Sequence, residues 1–204
     1  QKGEYGAKKD IKKAFEMYQK AADAGNAIGL YNYAACKLNG IGCDEDEDEA
    51  YDAMKKAAQP GKKNPQAMET YGEWLLKKDS SKEGKKEALK YFLNAMKYGN
   101  SRATFNAAKI YESFNKKEEA KMYYLDAGEL GILPAYNDYA LLLLSDKSTT
   151  QDGLLALKQN AIRKCPESNY NLGVIELKAY KNYGLDPNIE NGVKHIRSAA
   201  HAEH

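Results

Sequence analysis

A short phrase recurs six times along this chain, and its spacing leaves few folds available. Lys20-Ala21-Ala22-Asp23-Ala24-Gly25-Asn26 returns as Lys56-Ala57-Ala58-Gln59-Pro60-Gly61 and as Asn94-Ala95-Met96-Lys97-Tyr98-Gly99-Asn100. It continues as Asp126-Ala127-Gly128-Glu129-Leu130-Gly131 and Asn160-Ala161-Ile162-Arg163-Lys164-Cys165, and ends as Ser198-Ala199-Ala200-His201-Ala202-Glu203. The alanine column stands at 21, 57, 95, 127, 161 and 199, with steps of 36, 38, 32, 34 and 38 residues. That is the period of a repeat made of two helices.

Two further columns support this reading. Seven residues before each alanine lie Ala14, Ala50, Ala88, Ala120, Leu154 and Gly192. Two helical turns separate the columns, so both sit on one face, and small residues there let neighbouring helices approach closely. The first four copies close on Gly, which tolerates the left-handed conformation that stops a helix. A third column pairs a large residue with a small one: Tyr33-Ala34, Tyr71-Gly72, Ala107-Ala108, Tyr139-Ala140 and Leu172-Gly173. At a fixed place in every copy this is a packing rule, with the large residue filling the hairpin and the small one seating the next.

Apolar spacing agrees. Ile11, Ala14, Phe15, Tyr18, Ala21 and Ala22 form one helical stripe, and Ala103, Ala107, Ile110 and Tyr111 form another. Strict alternation of apolar and polar residues is hard to find, and there are 5 prolines. The expected fold is all-α, a stack of helical hairpins with five full repeats and a partial first one. Residues 1–204 read as a single repeat domain, divided near 1–26, 27–63, 64–100, 101–132, 133–166 and 167–204. The first copy begins at its turn, which predicts a segment of a longer repeat protein. About eleven helices are expected, one plus five pairs, with one apolar side of the lone first helix uncovered. Three connections read as irregular: Lys78–Lys85 long, Phe114–Lys117 short and Tyr180–Asn188 expanded.

Charge limits the partners. The chain carries 31 Lys+Arg against 29 Asp+Glu, a net charge of +2. Balanced charge of both signs describes a solvated surface, not the one-sided field that draws a protein onto nucleic acid or anionic membrane. No run approaches the roughly 18 apolar residues of a membrane span. Gln1–Asp10 is polar and lysine-rich, with no signal peptide visible, and no Asn-x-Ser/Thr sequon occurs. A cytoplasmic or an exported bacterial protein fits best.

Sites that could carry chemistry reduce to structural ones. Asp44-Glu45-Asp46-Glu47-Asp48-Glu49 is not a calcium loop, since Glu49 stands where the loop needs Gly and Lys55 where it needs Glu. It reads as the acidic first turn of a helix. Cys36, Cys43 and Cys165 have no His or Cys pair at zinc spacing and read as free thiols. His195 and His201 are six apart and do not share a face as metal ligands would. Gly40-x-Gly42 lacks a preceding strand and a third Gly, so it is no dinucleotide loop, and neither a phosphate loop nor a nucleophile elbow is present. The basic cluster Lys77, Lys78, Lys82, Lys85 and Lys86 falls in an expected loop with Asp79 and Glu83 among it. No catalytic residues, metal or cofactor are expected, and the chain reads as no enzyme.

Gly40-Ile41-Gly42, Asp46, Glu49-Ala50, Lys56-Ala57-Ala58 and Gly61 resemble the Sel-one-like repeat, a family within the tetratricopeptide-like α/α solenoids. Gly6, Asp10, Lys13-Ala14, Tyr18, Lys20-Ala21-Ala22 and Gly25 match its second half. The resemblance covers essentially the whole chain, although the Gly-x-Gly turn is intact only at Gly40 and Gly42, and the last two copies lose the closing Gly. It implies a right-handed α/α superhelix whose first helices line a concave wall that holds a peptide or another protein. On that wall it places Tyr31, Asn32, Glu69, Glu73, Arg102, Phe105, Asn106, Lys109, Asn137, Asp138, Tyr170 and Asn171. The amide column could bond an extended partner backbone or the neighbouring repeat. The carboxylate clamp of some tetratricopeptide relatives is absent, because its places hold Ala35, Glu73, Lys109, Leu141 and Val174. The expected function is a scaffold or adaptor. The alternative is a β-lactam or peptidoglycan hydrolase or small-ligand binder, as among cysteine-rich bacterial relatives, which carry cysteine pairs in every repeat.

Overall fold

The first six helices begin where a side chain can take the first free amides. The structure, a computed structural model, describes residues 10–202. Asp10 accepts from the Lys13 amide and opens α1 (Ile11–Asp23), and Asn26 accepts from Ile28 and Gly29 and opens α2 (Ala27–Asn39). Asp46 caps α3 (Glu47–Ala57), Asn64 caps α4 (Pro65–Lys78) and Ser81 caps α5 (Lys82–Met96). Asn100 bonds the Ala103 amide at the start of α6 (Ser101–Ser113). Such caps satisfy amides that have no partner within the helix. Then follow α7 (Lys117–Glu129), α8 (Leu133–Leu144), α9 (Thr150–Ile162), α10 (Pro166–Val174) and α11 (Ile189–Ala202). Among the described residues there are eleven α-helices and no strand. The count is one plus five pairs, as the repeat requires.

The chain forms two compact units, Gln1–Ala103 and Thr104–His204, with the boundary inside the first turn of α6. In the first, α1 packs on α2, α2 on α3, α3 on α4 and α4 on α5. In the second, α7 packs on α8, α8 on α9, α9 on α10 and α10 on α11. The sequence columns are the core of both. Ala57, Ala95 and Ala127 are wholly buried, as are Ala50, Ala88 and Ala120 seven residues earlier. Small residues allow the close crossings: a methyl group on Gly72 would stand 2.7 Å from the Phe92 ring, and one on Gly173 would stand 2.8 Å from the Gly192 carbonyl.

Several expectations need correction. The segment Lys78–Lys85 is no long loop. Asp79 binds the Ser81 amide and hydroxyl, Ser81 caps Gly84, and α5 starts at Lys82. Lys77 and Lys78 therefore end α4, while Lys82, Lys85 and Lys86 belong to α5. Gly25, Gly99 and Gly131 take the left-handed stop, but Gly61 does not. It lies in a 3₁₀ turn from Pro60 to Lys62, and Lys63 takes the positive φ of 50° instead. In the fifth copy Lys164 stands at φ 64° where earlier copies use Gly. Of the first stripe only Phe15 is buried, with Ile11 and Tyr18 exposed. A capping helix before Ile11 would fall on residues 1–9, outside the described ones. The expanded connection after α10 is a π-turn (Ile175–Ala179), a 3₁₀ turn (Tyr180–Tyr183) and an extended link to α11.

Candidate binding surface on the first helices

The first helix of each hairpin is α2, α4, α6, α8 or α10, and all twelve candidate residues lie on them. In the first unit, Tyr31 and Asn32 on α2 are half-buried. Glu69 and Glu73, one turn apart on α4, face Arg102 at the start of α6. Arg102 Nε approaches Glu69 Oε1 at 3.3 Å, a contact outside hydrogen-bond alignment, and Nη2 lies 3.5 Å from Glu73 Oε1. Glu69 is 1% exposed. Burial pushes its carboxyl up to about 7, and the charge of Glu73 and a hydrogen bond with it add to the rise, while Arg102 opposes it. Glu69 is thus a buried support for Arg102 and Glu73, which carry the surface.

Two hairpins, α2/α3 and α6/α7, are each locked by a tyrosine and a glutamate. Tyr33 on α2 donates its hydroxyl to Glu49 on α3, which Lys37 also meets at 2.7 Å. Lys37 and then Tyr33 hold the Glu49 carboxyl below its ordinary range. In the second unit the roles are exchanged, and Tyr124 on α7 donates to Glu112 on α6 at 2.6 Å. Glu49 and its acidic neighbours Glu47 and Asp48 form the first turn of α3.

In the second unit the Lys109 ammonium sits 4.2 Å from the centre of the Phe105 ring, which also packs against Tyr124. Asn106 beside it is half-buried. Burial pushes the Asp138 carboxyl above its ordinary range; the Asn137 amide and Lys109 oppose this, and Glu112 and Glu167 add to it. Asn137 is itself buried. Its amide nitrogen donates to Asp138 at 3.2 Å, and its carbonyl accepts from Asn171 at 2.9 Å and Ser168 at 3.3 Å. Ser168 in turn accepts from Asn160 at 2.6 Å. The Asn171 amide bonds the preceding repeat, the second of the two roles open to that column. Asn137, Glu167, Tyr170 and Asn171 line one side of a cavity of about 480 Å³, with Ile196 and Ala199 opposite. Tyr170 is 55% exposed there.

Sequence reasoning missed the side chains that join one repeat to the next. Asn64 Nδ2 donates to the Ala27 carbonyl at 3.2 Å, and Asn100 Nδ2 donates to the Pro65 carbonyl at 3.3 Å. For Asn100 the available signal was an Asn directly after the closing Gly, Gly99-Asn100; Asn64 stands three residues after Gly61 and gave none. The Asn160–Ser168 pair gave no such signal, because Asn160 occupies a position held by Lys in the first two copies. Among the described residues no helix is long and apolar enough to cross a membrane. Cys36, Cys43 and Cys165 are free.

Paired short helices at this period, with small residues at each crossing, define an α/α repeat protein of the tetratricopeptide-like class. The family model of the Sel1 repeat matches residues 1–26, 27–61 and 166–204, so Sel1 repeats are found in those segments of the chain. The intervening hairpins carry the same packing columns with altered loops. No curated protein matches the sequence. Among solved structures, a Sel1 repeat protein from Oxalobacter formigenes is 22% identical with a TM-score of 0.71, over 95% of this chain and 78% of that one. The protective antigen c5321 of uropathogenic Escherichia coli, described as having an SLR fold, is 19% identical with a TM-score of 0.76; the match covers 96% of this chain and 42% of that one. YrrB, described as a TPR protein with an unusual peptide-binding site, is 20% identical with a TM-score of 0.60, over 92% of each chain. These likenesses are likenesses of fold. Repeats of this class generally mediate protein–protein interaction, and scaffolds built from them are typically non-catalytic.

Proposed function

We propose that this protein is a non-catalytic scaffold that binds a peptide or a segment of another protein on the exposed side chains of its first helices. The observation that carries the reading is the cavity beside α10. There an exposed tyrosine stands next to Asn171, whose amide is held by the buried Asn137. Pre-set amides next to an aromatic side chain suit an extended backbone with an apolar residue. The cluster of Phe105 and Lys109 on the same unit adds an apolar and a cationic contact. Arg102 and Glu73 supply charged contacts on the other unit. Glu69 and Asn137 act by positioning, and residues 1–204 are read as one repeat domain.

The test is selection of binders from a displayed peptide library, followed by affinity measurement on variants. Tyr170→Ala combined with Asn171→Ala, and separately Phe105→Ala with Lys109→Ala, should weaken the selected binders about tenfold or more. Lys90→Ala on α5 should leave affinity unchanged. Selected peptides that ignore both double variants would refute the assignment of this face.

A further inference from the structure

A second feature, which uses none of those residues, lies where α2 and α4 end and α3 begins. Tyr51 and Trp74 form two walls of a pocket of about 350 Å³, closed by Leu38, with Glu47 and Asp48 at its α3 side and Lys77 and Lys78 at its α4 side. The rings are 5.2 Å apart at an interplanar angle of 46°. Their placement is enforced. The Tyr51 hydroxyl donates to the Trp74 carbonyl at 2.6 Å, and the edge of Tyr71 packs against the Tyr51 ring from behind. A tyrosine whose hydroxyl is already engaged presents its ring face, which is electron-rich and attracts cations.

The structure contains one cation on that face. Lys78 Nζ lies 4.9 Å from the Tyr51 ring centre. Lys78 is an exposed residue at the end of α4, held there by no salt bridge among those of the described residues. Burial, and after it the negative charge of Glu47, pushes the pKa of the Tyr51 hydroxyl above its ordinary value. The pocket thus combines an aromatic wall with two carboxylates on its α3 side, across from the lysines that end α4.

We propose that the Tyr51–Trp74 pocket binds an arginine side chain of a partner polypeptide, with Lys78 as the displaceable stand-in. A guanidinium can lie flat on the ring face while its N–H edge donates to the carboxylates of Glu47 or Asp48. The compact ammonium of Lys78 cannot make both contacts at once.

Trp74 is the single tryptophan of the chain, so its fluorescence reports on this pocket alone. The experiment titrates the intact protein with acetyl-Gly-Arg-Gly-amide and, in parallel, with the uncharged citrulline analogue. The arginine peptide should give a saturable change in Trp74 emission, with a dissociation constant on the order of millimolar for one anchored side chain. The citrulline peptide should give none. Lys78→Ala removes the competing cation and should tighten binding about two- to fivefold. Tyr51→Leu, with its helical circular dichroism retained, should abolish the response. Three results would overturn the proposal: no saturable response in either the native protein or Lys78→Ala, an equal response to citrulline, or binding untouched by Tyr51→Leu.

Discussion

The two compact units join their repeats by different means. In Gln1–Ala103, helix starts are set by local side chains: Asp10, Asn26, Asp46, Asn64 and Ser81 each cap the helix that follows. Asn64 and Asn100 each reach back to a carbonyl of the repeat before. In Thr104–His204, the residues ahead of helices α7, α8, α9 and α10, Lys116, Ile132, Thr149 and Cys165, supply no side-chain cap. Proline stands in the first turn of α8 and of α10. Joining passes instead to a buried chain of neutral side chains, Asn160 to Ser168 to Asn137 to Asn171. In one unit the joints run from half-buried capping asparagines to backbone carbonyls; in the other they run between side chains, through the buried Asn160, Ser168 and Asn137. The second arrangement costs more to break, because a buried polar group that loses its partner keeps its desolvation penalty.

The largest effect is therefore expected in the second unit. Asn137→Ala should cost about 2–3 kcal/mol in urea unfolding, since Ser168 and Asn171 lose their shared acceptor. Amide exchange should rise in α8 and α10 while α2–α5 stay protected. Uniform exchange across both units would erase the contrast drawn here.

The next effect is expected in the first unit and depends on pH. Glu69 is buried and its carboxyl is raised to about 7. The folded state holds this proton more tightly than the unfolded chain does. The stabilisation is thus full below the ordinary carboxylate value and is lost as pH rises through about 7. Between pH 5 and pH 8, at the two ends of that window, the native protein should lose about 2 kcal/mol that Glu69→Gln retains. Thermal melts of the two proteins across the range will show it, and parallel curves would remove Glu69 as the source.

The smallest effect belongs to the caps. Asn64→Ala should cost about 1–2 kcal/mol, one cap plus one solvent-accessible bond to Ala27. Asn64→Asp keeps the cap but loses the donor to the Ala27 carbonyl, so its cost relative to the native protein isolates the joint between repeats. No cost in Asn64→Asp would mean that the joint contributes nothing.

The same division explains what could be read from the sequence. The repeat columns are legible because close helix crossings admit only small residues, and each copy must solve that problem again. The start of α3 is legible because Asp46 acts within three residues of itself; Ser81 acts over the same span, yet the lysine-rich stretch around it reads as a loop. Gly61 misled because Pro60 sets up a 3₁₀ turn that carries the left-handed stop on to Lys63. The interior bonds of the second unit join residues 31 and 34 positions apart, and no local pattern announces them. The candidate face was legible as a list of positions. It was not legible which of them are buried supports, since Glu69 and Asn137 differ from their exposed neighbours only in what packs over them.

The two reach-back asparagines have a consequence for how such a chain can grow. Asn64 meets Ala27 across 37 positions and Asn100 meets Pro65 across 35, yet the joint is the same. Each bond runs from a residue just ahead of one hairpin to the opening turn of the hairpin before it. The residues between can lengthen or shorten without touching either end. A gene segment encoding residues 64–99, duplicated in tandem, would carry its own fastener and recreate the joint at both new seams. The spacing of the copies is free to drift for the same reason, while the coupling between them is inherited intact.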